Sequence, residues 1–535
     1  MRPHGARQRA RVRRALRGGV LAVLRDDRDP ALAPAQRRDP HGRRAAGHVV
    51  PPGAPRWRRR RGAHGDARSP RQGAALRARD GERRDRRGRG DLRVHGRLPR
   101  RRREEVAAVP ARRARQGARA ARRGDAGGLT LARILAPAAP TAPTFRTLPP
   151  LSLYVHLPWC LKKCPYCDFN SHEWRGGDAG PPEDAYVDAL VADLERALPS
   201  VWGRKVSTVF LGGGTPSLFS PEAIDRLLAA IRARLPLVAG AEVTMEANPG
   251  TFERRRFEGF RDAGVNRLSV GVQSFTPRHL AALGRVHDAA EARAAAAAAV
   301  ELFDEVNLDL MFALPGQRVD DALADVEEAL TFRTTHLSCY QLTLEPNTLF
   351  HRQPPELPDE DEAEAMQTAI EARLGQAGFD HYEVSAYAKP GHRSAHNVNY
   401  WRYGDYLGIG AGAHGKVSMP DRIVREVRWK QPKQYVERAL AGEAVMERRE
   451  VDTGELGFEF MLNALRLAEG VPSALFAERT GLPLASIAHE IGAAARRGLL
   501  DPDPSVLRAT PLGRRFLNEL VALFLRDAPR ARGAT

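Results

Sequence analysis

Cysteine is scarce in this chain. It has four in 535 residues, and three of them stand in one eight-residue stretch, C-x3-C-x2-C at Cys160, Cys164 and Cys167. So few thiols exclude a disulfide-built scaffold and fit a reducing, cytoplasmic setting. Long apolar runs are missing as well: no stretch of 18 uncharged apolar residues exists, so no helix is expected to span a membrane. The run GVLAVL near the N-terminus is too short for the core of a signal peptide.

The first 150 residues lack Lys, Asn, Tyr and Cys altogether, with Ser69 the single serine and no threonine before Thr130. They hold 41 of the 84 basic residues and 12 of the 65 acidic ones, so the chain's net charge of +19 divides into +29 there and −10 over residues 151–535. Their arginines follow neither helical nor strand periodicity. A basic arm for nucleic acid or a membrane surface would use such arginines, whereas a transit peptide would be Ser-rich and poor in acids. The composition also matches a disordered segment, or the translation of GC-rich DNA upstream of the true start. The functional chain is therefore expected to begin between Leu131 and Leu151, after a Pro-rich linker over 131–150. The acidic balance beyond it argues against nucleic acid as a partner.

From Leu151 a period appears. Six β-rich runs begin at Leu151, Lys205, Ala241, Asn266, Glu305 and His336, and amphipathic helical stretches such as PEAIDRLLAAIRARL and DDALADVEEALTF alternate with them. Six β/α units imply a parallel sheet with helical crossovers. Six is too few for a closed eight-stranded barrel, so an open, partial (β/α)6 barrel over 151–380 is expected, its chemistry at the C-terminal strand ends. Residues 446–535 read as a mostly helical, winged-helix-like domain.

The three cysteines follow directly on the first strand. Thiolates suit zinc or an iron–sulfur cluster. Zinc would need a fourth ligand, from His156, His172 or the distant Cys339, which is more simply a core residue. A [4Fe–4S] cluster held by three cysteines would keep one iron open for a substrate.

With YVHLPWC, CPYCDF, FLGGGTPS, EANP, GVQSF and LGRVH in order, residues 151–535 resemble the coproporphyrinogen III dehydrogenase-like group of the radical S-adenosylmethionine (SAM) superfamily. The resemblance implies a [4Fe–4S] cluster on Cys160, Cys164 and Cys167 whose open iron binds SAM. It implies SAM contacts from Tyr154, Tyr166, Gly213, Gly214, Thr215, Glu246, Gln273, Arg285 and Asp309. Arg285 suits the SAM carboxylate bidentately. An electron donor to the cluster is also implied.

Two features separate branches of that group. The dehydrogenases carry a further cysteine two residues past the third cluster ligand, where this sequence has Phe169. HNVNYW, at 396–401 within the region 381–445, is similar to the H-N-x-x-Y-W signature of the group's heme chaperones. That likeness implies heme on His396, with apo-hemoproteins as receivers, respiratory ones among them, and a peripheral membrane contact where a receiver is membrane-bound. On chemistry alone His392 and His414 compete for the same role, and the aromatics and GIGAGAHG glycines are expected to face the macrocycle. The expectation is a heme chaperone carrying SAM and a cluster, either monomeric or homodimeric. The alternatives are oxygen-independent coproporphyrinogen III dehydrogenase and a nucleic-acid-associated protein.

Overall fold

Alternate apolar positions decide how the strands pack. On β1 (Leu151–Leu157), Leu153, Val155 and Leu157 are fully buried, and so are Val209 and Leu211 on β2 (Val206–Gly213). The same alternation runs through β3 (Leu237–Ala247), β4 (Arg267–Gln273), β5 (Glu305–Phe312) and β6 (His336–Gln341). These residues share one core with the helices that follow the strands, each buried Val or Leu side chain contributing about 1.5–3 kcal/mol. The helices are α1 (Glu183–Ala197), α2 (Pro221–Arg234), α3 (Glu253–Ala263), α4 (Ala289–Leu302), α5 (Val319–Thr331) and α6 (Glu360–Gln376). Local signals start them: Ser220 caps α2 ahead of Pro221, and Asp288 and Glu291 close a capping box on α4.

The computed structural model describes residues 142–177, 180–250 and 253–525. The expectations for residues 1–130 lie outside the described residues. From β1 to β6 every neighbouring pair is parallel, giving the expected six β/α units.

The sheet then continues where six units were expected to end. β9 (Asp405–Ile409) adds parallel to β1, followed by antiparallel β10 (His414–Ser418), β11 (Ile423–Arg428) and β12 (Val445–Glu450). At the far edge β6 pairs with β8 (Ala386–Ala388), and β8 with β7 (Asp380–Glu383). The order is β12-β11-β10-β9-β1-β2-β3-β4-β5-β6-β8-β7. Residues 381–445 thus extend the barrel sheet, and they supply α7 (Ala395–Trp401) and α8 (Pro432–Leu440) as well. Buried ions fasten this extension: Arg428 on β11 pairs with Asp193 on α1, which also accepts the Tyr435 hydroxyl at 2.9 Å.

A second core joins α7, β7, β8 and β11 to the C-terminal helices α9 (Thr453–Ala464), α10 (Ala474–Thr480) and α11 (Ala488–Arg496). Buried Glu459 of α9 holds Arg425 of β11 at 2.8 Å. The wing is a two-residue antiparallel pair, Val471–Pro472 with Val506–Leu507. The last helical stretch is two short helices that meet at Phe516, whose φ of −108° and ψ of 41° leave the helical region.

Candidate functional site

The side chains opposite the packed core face of β1–β6 are mostly polar. Tyr154, Phe210, Thr244, Glu246, Ser269, Asn307, Asp309, Ser338 and Tyr340 all line one cavity. Cys167, Asp168 and Phe169 of the cysteine loop line it too, and so do Ser394, His396 and Asn397 of the α7 start.

The cysteine loop is closed by a short parallel pair, Trp159–Cys160 with His172–Glu173. Its shape is set from β1. His156 Nε2 donates to the Asn170 carbonyl at 2.9 Å, so Nδ1 is the acceptor for the Tyr154 hydroxyl, also at 2.9 Å. Burial lowers His156 to about 4, which keeps this tautomer neutral. Asn170 then donates to the carbonyls of Ala411 and Lys430, tying the loop to the sheet extension.

A polar belt joins two of the cysteines. The Thr215 hydroxyl lies 3.5 Å from Cys160 Sγ and accepts from Asn248 Nδ2 at 2.8 Å. Arg285 donates to Asn248 Oδ1 and to the Gly271 carbonyl, both at 2.7 Å, and its Nη1 lies 3.5 Å from Cys164 Sγ. Arg285 Nε is buried with no partner, which fits a site waiting for an anionic group. Burial pushes the Cys160 thiol up to about 11. Among the described residues no three His, Cys, Asp or Glu side chains converge as ligands of one ion. A cubane cluster does not need that, because each cysteine ligates a different iron; a zinc site does need it.

Above the belt, Gly213 takes φ +118°, and a Cβ there would stand 2.6 Å from the His156 ring. Its N–H donates to Glu246 at 3.0 Å. Burial, with the Asp309 charge second, raises Glu246 to about 7, while burial raises Asp309 to about 6 against hydrogen bonds from Asn307 and Ser269. Gln273 ends β4 at φ +69°, a left-handed conformation rare for a residue with a side chain. A Cβ at Gly214 would stand 2.5 Å from the Trp159 carbonyl, and Tyr166 lines the cavity against Phe350.

At the other end stands His396. The N–H groups of Ala395 and His396 donate to the Glu242 carboxylate, each at 2.9 Å, and Ser394 caps the helix. The imidazole lies 4.9 Å from the Phe210 ring, centroid to centroid, and Nδ1 is 2.9 Å from Thr208 Oγ1. Burial alone lowers its pKa to about 3, so it is neutral. Asn397 Oδ1 and Thr244 Oγ1 line the same cavity and are buried without partners.

A family model of the Radical SAM superfamily matches residues 154–329, and one of the HemN C-terminal domain matches residues 451–516. The heme chaperone HemW of Escherichia coli (strain K12) is 48% identical over 382 residues, 71% of this chain and 99% of that protein. The heme chaperone HemW of Haemophilus influenzae is 45% identical over 386 residues, again 71% and 99%. The chain belongs to the HemW family. A solved structure of coproporphyrinogen III oxidase (HemN) from Escherichia coli, a radical SAM enzyme, matches with a TM-score of 0.61 at 25% identity, covering 70% of this chain and 90% of that one.

As a radical SAM fold, a HemW-family protein implies a [4Fe–4S] cluster and SAM. The residues present fit that pair: three cysteines on a braced loop, an orphaned guanidinium nitrogen, and carboxyls turned to one cavity.

Of the three rival histidines, His396 alone lines this cavity. His392 is engaged by Glu305 at 2.7 Å, and His414 sits at the start of β10. Other parts of the motif go elsewhere than expected. Trp401 is fully buried in the second core under Arg466, and Tyr400 packs on Trp401 and Tyr406. A short helix cannot turn all its side chains to one face. The glycines of GIGAGAHG admit backbone, not a macrocycle: a Cβ at Gly408 would meet the His414 carbonyl at 2.0 Å, and one at Gly410 the His156 carbonyl at 2.3 Å. Flat surfaces in the cavity come instead from Tyr154, Phe210, Tyr166 and Phe169. Asn248, Thr208 and Ser152 were not singled out from sequence. Asn248 lies inside EANP, whereas Thr208 and Ser152 are small polar residues in strands, a signal visible only as alternation. Cys339 is a core residue, as the simpler reading expected.

Proposed function

We propose that this protein binds heme inside the partial barrel and passes it to apo-hemoproteins, in a reducing, cytoplasmic setting. The observation that carries this reading is His396: a neutral, buried imidazole at the cavity wall, one nitrogen hydrogen-bonded to Thr208 and the other free to ligate iron. Its similarity to the heme chaperones HemW of Escherichia coli and Haemophilus influenzae supports it. Phe169 lines the cavity where the porphyrinogen dehydrogenases carry a further cysteine, which weighs against that activity.

Cys160, Cys164 and Cys167 would hold the cluster. Tyr154, Tyr166, Gly213, Gly214, Thr215, Glu246, Gln273, Arg285 and Asp309 would surround SAM. When bound, the cluster supplies one electron and an open iron. Within this chain, Arg285 neutralises an anionic group and steadies Cys164, while Glu246 offers a carboxyl that changes charge near neutrality. An electron donor and, for membrane-bound receivers, a peripheral contact complete the reading; among the described residues no helix is long and apolar enough to cross a membrane.

The test is an anaerobic heme titration of the cluster-reconstituted protein, with coproporphyrinogen III and SAM in a parallel tube. Wild type takes up heme stoichiometrically, His396→Ala does not, and His392→Ala behaves as wild type. Turnover of the porphyrinogen without a His396-dependent heme spectrum would overturn the reading.

A further inference from the structure

The first interior row of the sheet is Ser152 on β1, Thr208 on β2 and Glu242 on β3, paired in register. All three act on His396 or its helix. Glu242 accepts the N–H groups of Ala395 and His396, which fixes the backbone. Thr208 meets the ring. Asn399 Nδ2 donates to the Asp405 carbonyl at 3.2 Å, and a carbonyl can only accept, so the amide orientation is set. The same nitrogen donates to Ser152 Oγ at 2.8 Å. Thr208 Oγ1 in turn donates to Ser152 Oγ at 2.8 Å, which uses the one hydroxyl proton of Thr208. Thr208 Oγ1 therefore accepts from His396 Nδ1–H.

We infer that Thr208, backed by Ser152 and Asn399, is a positioning residue that selects the Nδ1–H tautomer of His396 and so presents the Nε2 lone pair to a metal in the cavity. A ligating imidazole commonly donates its second N–H to such a partner, which fixes ring orientation and raises basicity. None of Ser152, Thr208 and Glu242 belongs to the H-N-x-x-Y-W string, so the motif is completed by three strands more than 150 residues upstream of it in the case of Glu242, and further for the others. That the metal is heme iron rests on the function proposed above; the tautomer does not.

The experiment therefore has two independent arms. In the full-length, heme-free protein labelled with 15N-histidine, His396 is assigned by the signals lost in His396→Ala. The expected pattern is a pyrrole-type shift at Nδ1 and a pyridine-type shift at Nε2. An Nε2–H tautomer overturns the inference whatever the heme result. In the second arm, heme is titrated into wild type, Thr208→Val and Thr208→Ser. Thr208→Val fills the same space without a hydroxyl, and should weaken heme binding about 10–100-fold and shift the Soret band; Thr208→Ser should restore both. Unchanged affinity and spectrum in a folded Thr208→Val overturn the positioning role. If His396→Ala binds heme like wild type, the heme reading fails, and the 15N pattern still decides the relay.

Discussion

Replacing Glu246 by Gln should stabilise the cofactor-free protein, by an amount that depends on pH in a defined way. Glu246 is raised from 4.5 to about 7, by burial first and the Asp309 charge second. A carboxyl with a higher pKa folded than unfolded binds its proton more tightly in the folded state. Its contribution is fully present below pH 4.5 and is lost as pH rises through about 7. Ionising it in place costs about 3 kcal/mol at 1.4 kcal/mol per pH unit. Gln keeps the acceptor for the Gly213 N–H and never ionises. Relief of Asp309, raised to about 6 in the same cavity, adds to the gain. The buried neutral His156 and His287, each near 4, lose stability as pH falls, but they are present in both proteins and cancel in the difference. Urea unfolding followed by far-ultraviolet circular dichroism, from pH 4.5 to 8, should show no gain for Glu246→Gln at the acid end. At pH 8 the gain should be about 3 kcal/mol. A difference that stays constant with pH would refute the reasoning, because the Glu246 carboxyl would then not be held protonated by its surroundings.

Gly213→Ala combines a left-handed φ with a Cβ driven into the His156 ring, and should cost roughly 2–4 kcal/mol and loosen the cysteine loop. Gly316→Ala, at φ +66° in open space, should cost only about 1 kcal/mol by the same unfolding assay. Arg428→Met strands the buried Asp193 carboxylate and should cost about 3–5 kcal/mol, with Asp193→Asn in the same chain recovering part of the loss.

The six β/α units were legible because their strands and helices carry unmixed signals. Apolar residues alternate on β1–β6, and Ser220, Asp288 and Asp359 stand where helices must begin. The sheet extension was not legible. β11 reads IVREVR and β12 VMERRE, which on composition are solvated loop or edge. Arg425 and Arg428 are nevertheless buried, because Glu459 and Asp193 reach them from helices far away in sequence. Lys416 on β10 is hidden by Asp405 and the Tyr403 ring in the same manner. Pairing of that kind is a tertiary fact, and no local period announces it.

The candidate site presents the reverse case, since its signal was in plain view within the strands. Parallel strands covered by helices on both faces are apolar nearly throughout. Here polar residues recur at every second position over part of most strands: Ser152, Tyr154 and His156 on β1, then Thr244 and Glu246, Ser269, Asn307 and Asp309, and His336 and Ser338 on the following strands. Burying that many polar groups is costly unless they bind one another or a ligand. Many do bind one another, as His336 does Asn307 and Tyr382, at 2.7 and 2.8 Å. Thr244 Oγ1 and Asn397 Oδ1 do not, and both line the cavity beside His396. Period-two polarity in a strand of this fold is therefore a mark of an interior built to be filled, and His396, brought in by α7 rather than by a strand, is met on that face by Glu242 at its backbone and by Thr208 at its ring.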